Sequence, residues 1–261
     1  MIHPSAIVET SGTIADDVEI GPFAVITGDI TIGPACHIES HVQILNQVSI
    51  GGQCLIGTGS VVGSDPQDLA FNPLTPSGVL IGDGNTLREL VTIHRSATLN
   101  QNTSLGDHNY LRAGAHLGHD VAVGDHNTIG NDALLGGHAT VGNHSELGAG
   151  SVYHQFVRIG SYAKTPDLAG LSLDLPPFTE SFAVNLLAGL NHSGLEKAGL
   201  TPAERDELTK AYHLIFSDGL NLSQALAQAA ETQWQTPFAH EFIAFFKTDS
   251  KKGICSKLAR S

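Results

Sequence analysis

Aliphatic residues recur at every sixth position along most of this chain, and this period limits what the chain can fold into. The series runs from Ile2 to Val62, resumes at Ile81 and ends at Ile159, covering 25 positions when Tyr153 is included. A helix has a period of 3.6 residues and a strand a period of 2, so neither explains the spacing. Short strands joined by tight corners do explain it, with the sixth-position residues facing the interior of a parallel β-helix.

Chains with similar repeats form left-handed prisms with three hexapeptides per coil, so residues 18 apart stack on one another. Cys36 and Cys54 are 18 apart and are predicted to stack as core thiols. Between Val62 and Ile81 the period breaks in a proline-rich stretch, which predicts an extruded loop at about 64–80. The predicted fold is mainly β, a left-handed parallel β-helix of hexapeptide repeats with this loop and a small helical domain after it.

The C-terminal part of the chain has a helical pattern. Thr201, Pro202 and Glu204 form a helix start with a capping box, and Gly219 ends the pattern. Two further helical stretches follow. The predicted domains are a β-helix at 1–165, a connector at 166–190 and a helical domain at 191–261.

Composition excludes several classes of protein. The formal charge is −13, with 26 acidic and 13 basic residues, so we expect no nucleic-acid partner. No apolar run approaches the ~20 residues that a transmembrane helix needs. The N-terminus has no pattern of a signal peptide, and three cysteines make no disulfide framework. We therefore expect a cytoplasmic protein.

One outward strip of three successive coils gathers ionisable residues. It follows from the 18-residue stacking rule, which places Asp120 beneath His138 and His119 beneath Gly137. A histidine, an orienting carboxylate and a glycine that allows close approach form a constellation suited to acyl transfer. The strip contains His119, Asp120, Gly137, His138, His154 and Gln155.

A second column of histidines offers an alternative. His108, His126 and His144 are each 18 apart, so their rings should stack. Hexapeptide folds include zinc-dependent carbonic anhydrases, but a straight column suits tetrahedral zinc poorly because its ligands do not converge. A solvated ladder is favoured, and no metal ligand is assigned.

Six short motifs resemble those of one family, in order and approximate spacing. They are IGPFAVI, SDPQDL, VTIHR, AHLGHD, LGGH and YHQF. The chain is similar over nearly its whole length to the UDP-N-acetylglucosamine O-acyltransferases, which begin lipid A biosynthesis. The resemblance implies an O-acyltransferase that moves a fatty acyl group from an acyl-carrier-protein thioester to the 3-hydroxyl of the nucleotide sugar. It also implies a homotrimer with clefts between neighbouring prisms and no cofactor.

The resemblance also implies roles for individual residues. His119 matches the general base, Asp120 the residue that orients it, and the backbone N–H of Gly137 the oxyanion donor. The other matched positions would contact the sugar or line the nucleotide-sugar and acyl-donor clefts. These are Asp68, His94, His116, His138, His154, Gln155 and Asn191.

The chain departs from the family at cationic positions. Ala70 stands where the family usually has a lysine, and Lys197 and Ala198 stand where it has paired arginines. Lys197 is kept as a candidate contact for phosphate or carrier protein, although lysine does not reproduce the bidentate geometry of arginine. Pro166 and Asp167 put bulk and charge in a turn that commonly sets acyl length. A noncatalytic trimeric scaffold that binds a nucleotide sugar therefore stays open beside the enzyme.

Overall fold

A computed structural model describes residues 1–216 and 219–257, with the backbone alone for Ser256 and Lys257. Residues 217–218 and 258–261, part of the predicted helical domain, lie outside the described residues. No helix in the described ranges is long and apolar enough to cross a membrane.

Short parallel strands build most of the molecule. Those before the proline-rich break are β1 (Ile7–Thr10), β2 (Glu19–Ile20), β3 (Val25–Ile32), β4 (His37–Ile38), β5 (Gln43–Ile50), β6 (Leu55–Ile56) and β7 (Val61–Ser64). Those after it are β8 (Gly78–Ile81), β9 (Thr86–Leu87), β10 (Thr92–His94), β11 (Asn102–Leu105), β12 (Tyr110–Leu111), β13 (His116–Leu117), β14 (Ala122–Val123), β15 (Thr128–Ile129), β16 (Leu134–Leu135), β17 (Thr140–Val141), β18 (Glu146–Leu147), β19 (Val152–Tyr153), β20 (Arg158–Ile159) and β21 (Gly170–Leu171).

The strands stack in the register that the period predicts. Val25 pairs with Gln43 and His116 with Leu134, each 18 positions on. Beyond the break, each coil adds one strand to each face of a prism. We call the face with β7, β10, β13, β16, β19 and β21 the first face, that with β8, β11, β14, β17 and β20 the second, and that with β2, β4, β6, β9, β12, β15 and β18 the third. The predicted left-handed parallel β-helix is confirmed.

Two insertions leave the prism at the corner between the first and second faces. Val48 pairs with Val79, 31 positions on, so thirteen residues are added to one coil. They form the extruded loop 65–77, which is shorter than the predicted 64–80 because β8 begins at Gly78. Thr92 pairs with His116, 24 positions on, so the next coil carries six extra residues before β11.

The second insertion overturns one assignment made from the period. The period places Leu99 in the interior, but Leu99 is 59% exposed because it lies in the six extra residues and outside the prism. An insertion of six residues preserves a period of six, so the spacing gives no sign of it.

The chain closes the prism with a small helical region. β21 lies in the predicted connector and pairs with β19. It is followed by β22 (Thr179–Phe182), β23 (Leu186–Leu190), α1 (His192–Lys197), α2 (Pro202–Phe216), α3 (Leu222–Glu231), α4 (Pro237–Lys247) and β24 (Ser256–Lys257). The predicted capping box is present, since Thr201 N–H donates to Glu204 at 2.8 Å. Phe178, Leu208 and Phe242 share a second apolar cluster that holds the helices to the end of the prism.

Candidate active site

The corner between the first and second faces, here called the histidine corner, carries the predicted strip of ionisable residues. Three successive coils contribute to it, and they are in register because Leu134 pairs with both His116 and Val152. His119 and Asp120 follow β13, Gly137 and His138 follow β16, and His154 and Gln155 follow β19.

Asp120 orients the ring of His119. One carboxylate oxygen of Asp120 lies 2.7 Å from Nδ1 of His119 and accepts a 3.0 Å hydrogen bond from the N–H of Ala97. The other oxygen accepts a hydrogen bond from the hydroxyl of Ser96. Burial alone would raise the pKa of Asp120, but hydrogen bonds from Ser96 and His119 outweigh it and the pKa is lowered. An ionised Asp120 holds the proton on Nδ1 of His119 and leaves Nε2 as the acceptor.

The partners of Asp120 come from the six-residue insertion and the strand after it. Ser96 and Ala97 lie in the inserted segment, and the hydroxyl of Thr103 accepts a 2.8 Å hydrogen bond from the N–H of Asp120. This bond supports Asp120 in a left-handed backbone conformation with φ of 60°. No motif marks Ser96 or Thr103 in the sequence, so only the folded chain shows their part in the site.

Gly137 leaves the space beside Nε2 of His119 open. A Cβ atom at position 137 would lie 2.5 Å from that nitrogen, closer than any side chain could approach. Across residues 1–216 and 219–257, nothing hydrogen-bonds to Nε2 of His119 or to the backbone N–H of Gly137. The corner thus holds a free proton acceptor beside an unpaired backbone donor.

His138 forms the second layer of the corner. Its ring meets that of His119 edge-on at 5.1 Å, and its Nε2 lies 3.8 Å from Asp120. The opposite side of the His138 ring stacks on Phe156 at 4.5 Å. Burial lowers the pKa of His138 although Asp120 attracts its proton. His138 is therefore a mostly neutral imidazole near pH 7, able to give or accept a hydrogen bond.

A pair of histidines continues the site beneath His119. His94 is 6% exposed and meets His116 edge-on at 4.9 Å. Nδ1 of His116 lies 2.7 Å from the hydroxyl of Thr92. Burial, and then the neighbouring rings of His116 and His119, lower the pKa of His94 to about 4. Burial also lowers the pKa of His116.

These buried imidazoles predict that acid destabilises the fold. His94 titrates near 6.5 when unfolded, so between pH 6.5 and 4 the unfolded chain binds more protons than the folded one. We expect the free energy of unfolding to fall by about 2 to 3 kcal/mol on this account between pH 7 and pH 4. Urea unfolding of wild type and His94→Gln across this range checks it. The variant should show a shallower slope with pH, and equal slopes would contradict the assignment.

Contacts with Arg95 hold the extruded loop in place next to the site. Arg95 lies 2.7 Å from Asp65, and its guanidinium lies over the ring of Phe71 at 4.9 Å. Asp68, predicted to contact the sugar, is exposed at the outer part of the loop and accepts a 2.9 Å hydrogen bond from the N–H of Ala70. The loop therefore presents Asp68 to solvent, and no described contact links it to His119.

Asn191 and Lys197 lie away from the histidine corner of their own chain. Asn191 caps α1, with its amide donating to the carbonyl of Tyr162 at 2.8 Å. Lys197 pairs with Glu146 on the third face. The two residues thus belong to a different edge of the prism from His119.

The alternative histidine column forms a ladder of stacked rings. His108 and His126 are 5.1 Å apart and His126 and His144 4.8 Å, and the stack continues through Tyr162 to Phe178. The rings are stacked face to face, so their nitrogens do not surround a common point. In the described part of the chain, the group whose ligand atoms do converge is His119, Asp120 and His138, all within 4.8 Å.

An apolar groove begins beside the histidine corner on the first face. Its volume is about 290 Å³. It is lined by Val152, Tyr153, His154, Gly170, Leu171, Ser172 and Val184. The outward side chains of Leu134 and Val152 continue an apolar strip from His116 towards it. A ligand with a reactive polar group and an apolar tail would fit this surface.

Comparison with protein families agrees with the repeat and the helical region. A model described as bacterial transferase hexapeptide matches residues 11–46 and 102–137. A model described as domain 2 of UDP N-acetylglucosamine O-acyltransferase matches residues 174–255.

Individual proteins match over the whole length. Two curated acyl-[acyl-carrier-protein]–UDP-N-acetylglucosamine O-acyltransferases are similar, from Thermodesulfovibrio yellowstonii at 36% identity and Syntrophobacter fumaroxidans at 34%, each covering 97% of this chain and 98% of the relative. The solved structure of the Francisella novicida UDP-N-acetylglucosamine acyltransferase superposes with a TM-score of 0.94 at 32% identity, covering 100% of this chain and 95% of that one. The chain belongs to the UDP-N-acetylglucosamine O-acyltransferase family.

Proposed function

We propose that this protein transfers a fatty acyl group from an acyl-carrier-protein thioester to the 3-hydroxyl of UDP-N-acetylglucosamine. The observation that carries the proposal is His119 held by Asp120, with its free Nε2 beside the unpaired N–H of Gly137. The names of the relatives and the match over nearly the whole chain support the choice of substrates.

The geometry suggests the following steps. Nε2 of His119 takes the proton of the sugar hydroxyl, and the sugar oxygen forms a bond to the thioester carbonyl carbon. The N–H of Gly137 donates to the resulting oxyanion, a contact worth a few kcal/mol in related transition states. The C–S bond then breaks, and the proton on His119 passes to the departing thiolate. Asp120 stays ionised and stabilises the imidazolium between the two transfers.

The remaining site residues have proposed roles in binding. His94, His116 and Asp68 would contact the sugar, and His138, His154 and Gln155 would line the nucleotide-sugar and acyl-donor clefts. The apolar groove beside His154 would take the acyl chain.

We also propose a homotrimer with sites between neighbouring prisms. This arrangement would let Asn191 and Lys197, which lie away from their own His119, contribute to a neighbour's cleft. Leu69 is fully exposed and Leu74 nearly so on the extruded loop, as expected for residues that a second copy would cover. A cytoplasmic location is supported by the three free, buried cysteines, which suit a reducing compartment.

The convergence of His119, Asp120 and His138 keeps a metal-dependent hydratase as a second candidate. Both oxygens of Asp120 already accept hydrogen bonds, from Ser96, Ala97 and His119, so a metal would have to displace them. This favours Asp120 as an orienting group. A metal-dependent carbonic anhydrase would hydrate carbon dioxide only with zinc bound, whereas the proposed transfer should survive dialysis against a chelator.

The proposal is tested by turnover of UDP-N-acetylglucosamine with carrier-protein thioesters of several acyl lengths, before and after chelation. We expect 3-O-acylated product with at least one donor and no loss after chelation. Binding of the nucleotide sugar without turnover by any donor would instead support the noncatalytic scaffold.

The proposed homotrimer is tested by light scattering, which should give about three times the chain mass of 27.4 kDa.

A further inference from the structure

The segment after α4 returns to the prism and extends the histidine corner by one more layer. The N–H of Asp174 donates to the carbonyl of Gly253 at 2.8 Å, and the N–H of Cys255 donates to Asp174 at 2.9 Å. Asp174 is itself fully buried and lies 2.7 Å from Arg158. These bonds fix the backbone on both sides of Ile254, and so they also fix the two residues before Gly253.

Those two residues are Lys251 and Lys252, here called the lysine pair, and both reach the histidine corner. Nζ of Lys252 lies 3.0 Å from Nδ1 of His154. Nζ of Lys251 lies 4.2 Å from the ring centre of Phe156, the residue that stacks on His138. The column that starts at Asp120 and passes through His138 and Phe156 therefore ends in two ammonium groups.

The lysine pair carries uncompensated positive charge. Three other cations near the prism surface are paired with carboxylates: Arg95 with Asp65, Arg158 with Asp174 and Lys197 with Glu146. Within the ranges that the structure describes, neither Lys251 nor Lys252 forms an ion pair. On a chain with a formal charge of −13, two adjacent ammonium groups with no carboxylate partner in the described ranges make a local site for an anion.

We infer that the lysine pair binds the phosphate of the phosphopantetheine arm of the acyl donor. This inference rests on the proposed function. The reacting thioester carbon would lie beside Gly137, while the pair contacts His154 and Phe156 in the next coil. The separation is therefore roughly two strand spacings, or about 10 Å. The phosphate of a donor arm is separated from its thioester by a long chain. The diphosphate of a nucleotide sugar is attached to the same ring as the reacting hydroxyl. It therefore lies closer to His119 than the lysine pair does.

The inference is consistent with the losses elsewhere in the chain. Ala70 and Ala198 occupy positions where the resemblance implies cations, and Lys197 is engaged by Glu146. Cations supplied by the C-terminal segment would restore attraction for an anionic donor from a different place in the sequence.

Truncated donors test the inference directly. The same acyl group is offered on phosphopantetheine and on pantetheine, which lacks the phosphate, to wild type and to the double variant Lys251→Ala/Lys252→Ala. Wild type should prefer the phosphorylated donor in kcat/KM by about fivefold to tenfold, since each exposed ion pair is worth up to a fewfold. The double variant should lose this preference and keep the wild-type KM for UDP-N-acetylglucosamine. Lys210→Ala, an exposed lysine of α2, is the matched control and should behave as wild type.

The other outcomes overturn the inference. If the double variant keeps the preference for the phosphorylated donor, the lysine pair does not bind the phosphate. A double variant that keeps the preference but shows a raised KM for the nucleotide sugar assigns the pair to the diphosphate. If wild type turns over no donor, the proposed function fails, and calorimetric titration with phosphopantetheine then decides separately. Binding that weakens at least fivefold in a double variant with unchanged melting temperature supports the pair, and equal binding refutes it.

Discussion

Replacing His119 with alanine is expected to lower kcat by about a thousandfold or more, because removal of a positioned general base typically costs 10²–10⁴-fold. His119 is held by Asp120 at 2.7 Å, and the atoms nearest the open space at Gly137 belong to its ring. The measurement is the initial rate of 3-O-acylation of UDP-N-acetylglucosamine at saturating donor. The KM for each substrate should change much less than kcat, since the base acts in the transition state.

The matched control for this variant is His126→Ala. His126 also lies at a corner of the prism, with the same left-handed backbone conformation as Asp120 and His138, but in the ring ladder on the other side. We expect it to keep the wild-type rate. Both variants should show the melting temperature of wild type within a few degrees. A His119→Ala protein that keeps more than a tenth of the wild-type kcat would remove the general-base role.

The period of six was enough to predict the prism because each coil repeats one simple physical requirement. An aliphatic side chain must face the interior at every strand, and the buried row that includes Ile26, Ile44 and Val62 meets it. Stacking at 18 residues then follows, and it places His119 next to Gly137 from the sequence alone.

The same argument could not find the partners of Asp120. Ser96 reaches Asp120 only because six residues are inserted after β10. An insertion of six residues leaves the period of six unchanged, so the sequence pattern does not reveal it. Lys251 and Lys252 reach the corner through a chain reversal after α4, across about a hundred residues of sequence from His154. Contacts of this kind depend on where a non-repeating segment packs, and no local pattern encodes that.

The histidine rings around His119 are neutral because of the fold, which the sequence pattern does not show. Each of His94, His116 and His138 has a pKa lowered by burial, and burial depends on the rings and coils that stack against each of them. Neutral imidazoles can accept hydrogen bonds from sugar hydroxyls without repelling a protonated His119. Positive charge is therefore located on His119 during the reaction and on the lysine pair. The histidine rings between them carry little charge.

Replacing Gly137 with alanine is expected to lower kcat by about a hundredfold while leaving the fold intact. The new methyl group would lie 2.5 Å from Nε2 of His119, so the ring must swing away from its bond to Asp120. Displacing a catalytic group by about 1 Å can cost around 10²-fold. The backbone at position 137 is not in the left-handed region, so alanine adds no strain there, and the clash is with a movable side chain.

Gly137→Ala moves the ring of His119 without removing it, whereas His119→Ala removes the ring altogether. The variant keeps both His119 and Asp120, so an intact pair would still give the low-field proton resonance expected of the Nδ1–H bonded to Asp120. We expect this resonance to shift or disappear in Gly137→Ala, in step with the loss of rate and with an unchanged melting temperature. Full activity would mean that the space beside Nε2 is not where the sugar hydroxyl binds. Lost activity with an unchanged resonance would instead assign the effect to the Gly137 N–H, the oxyanion donor, because the base would then still be in place.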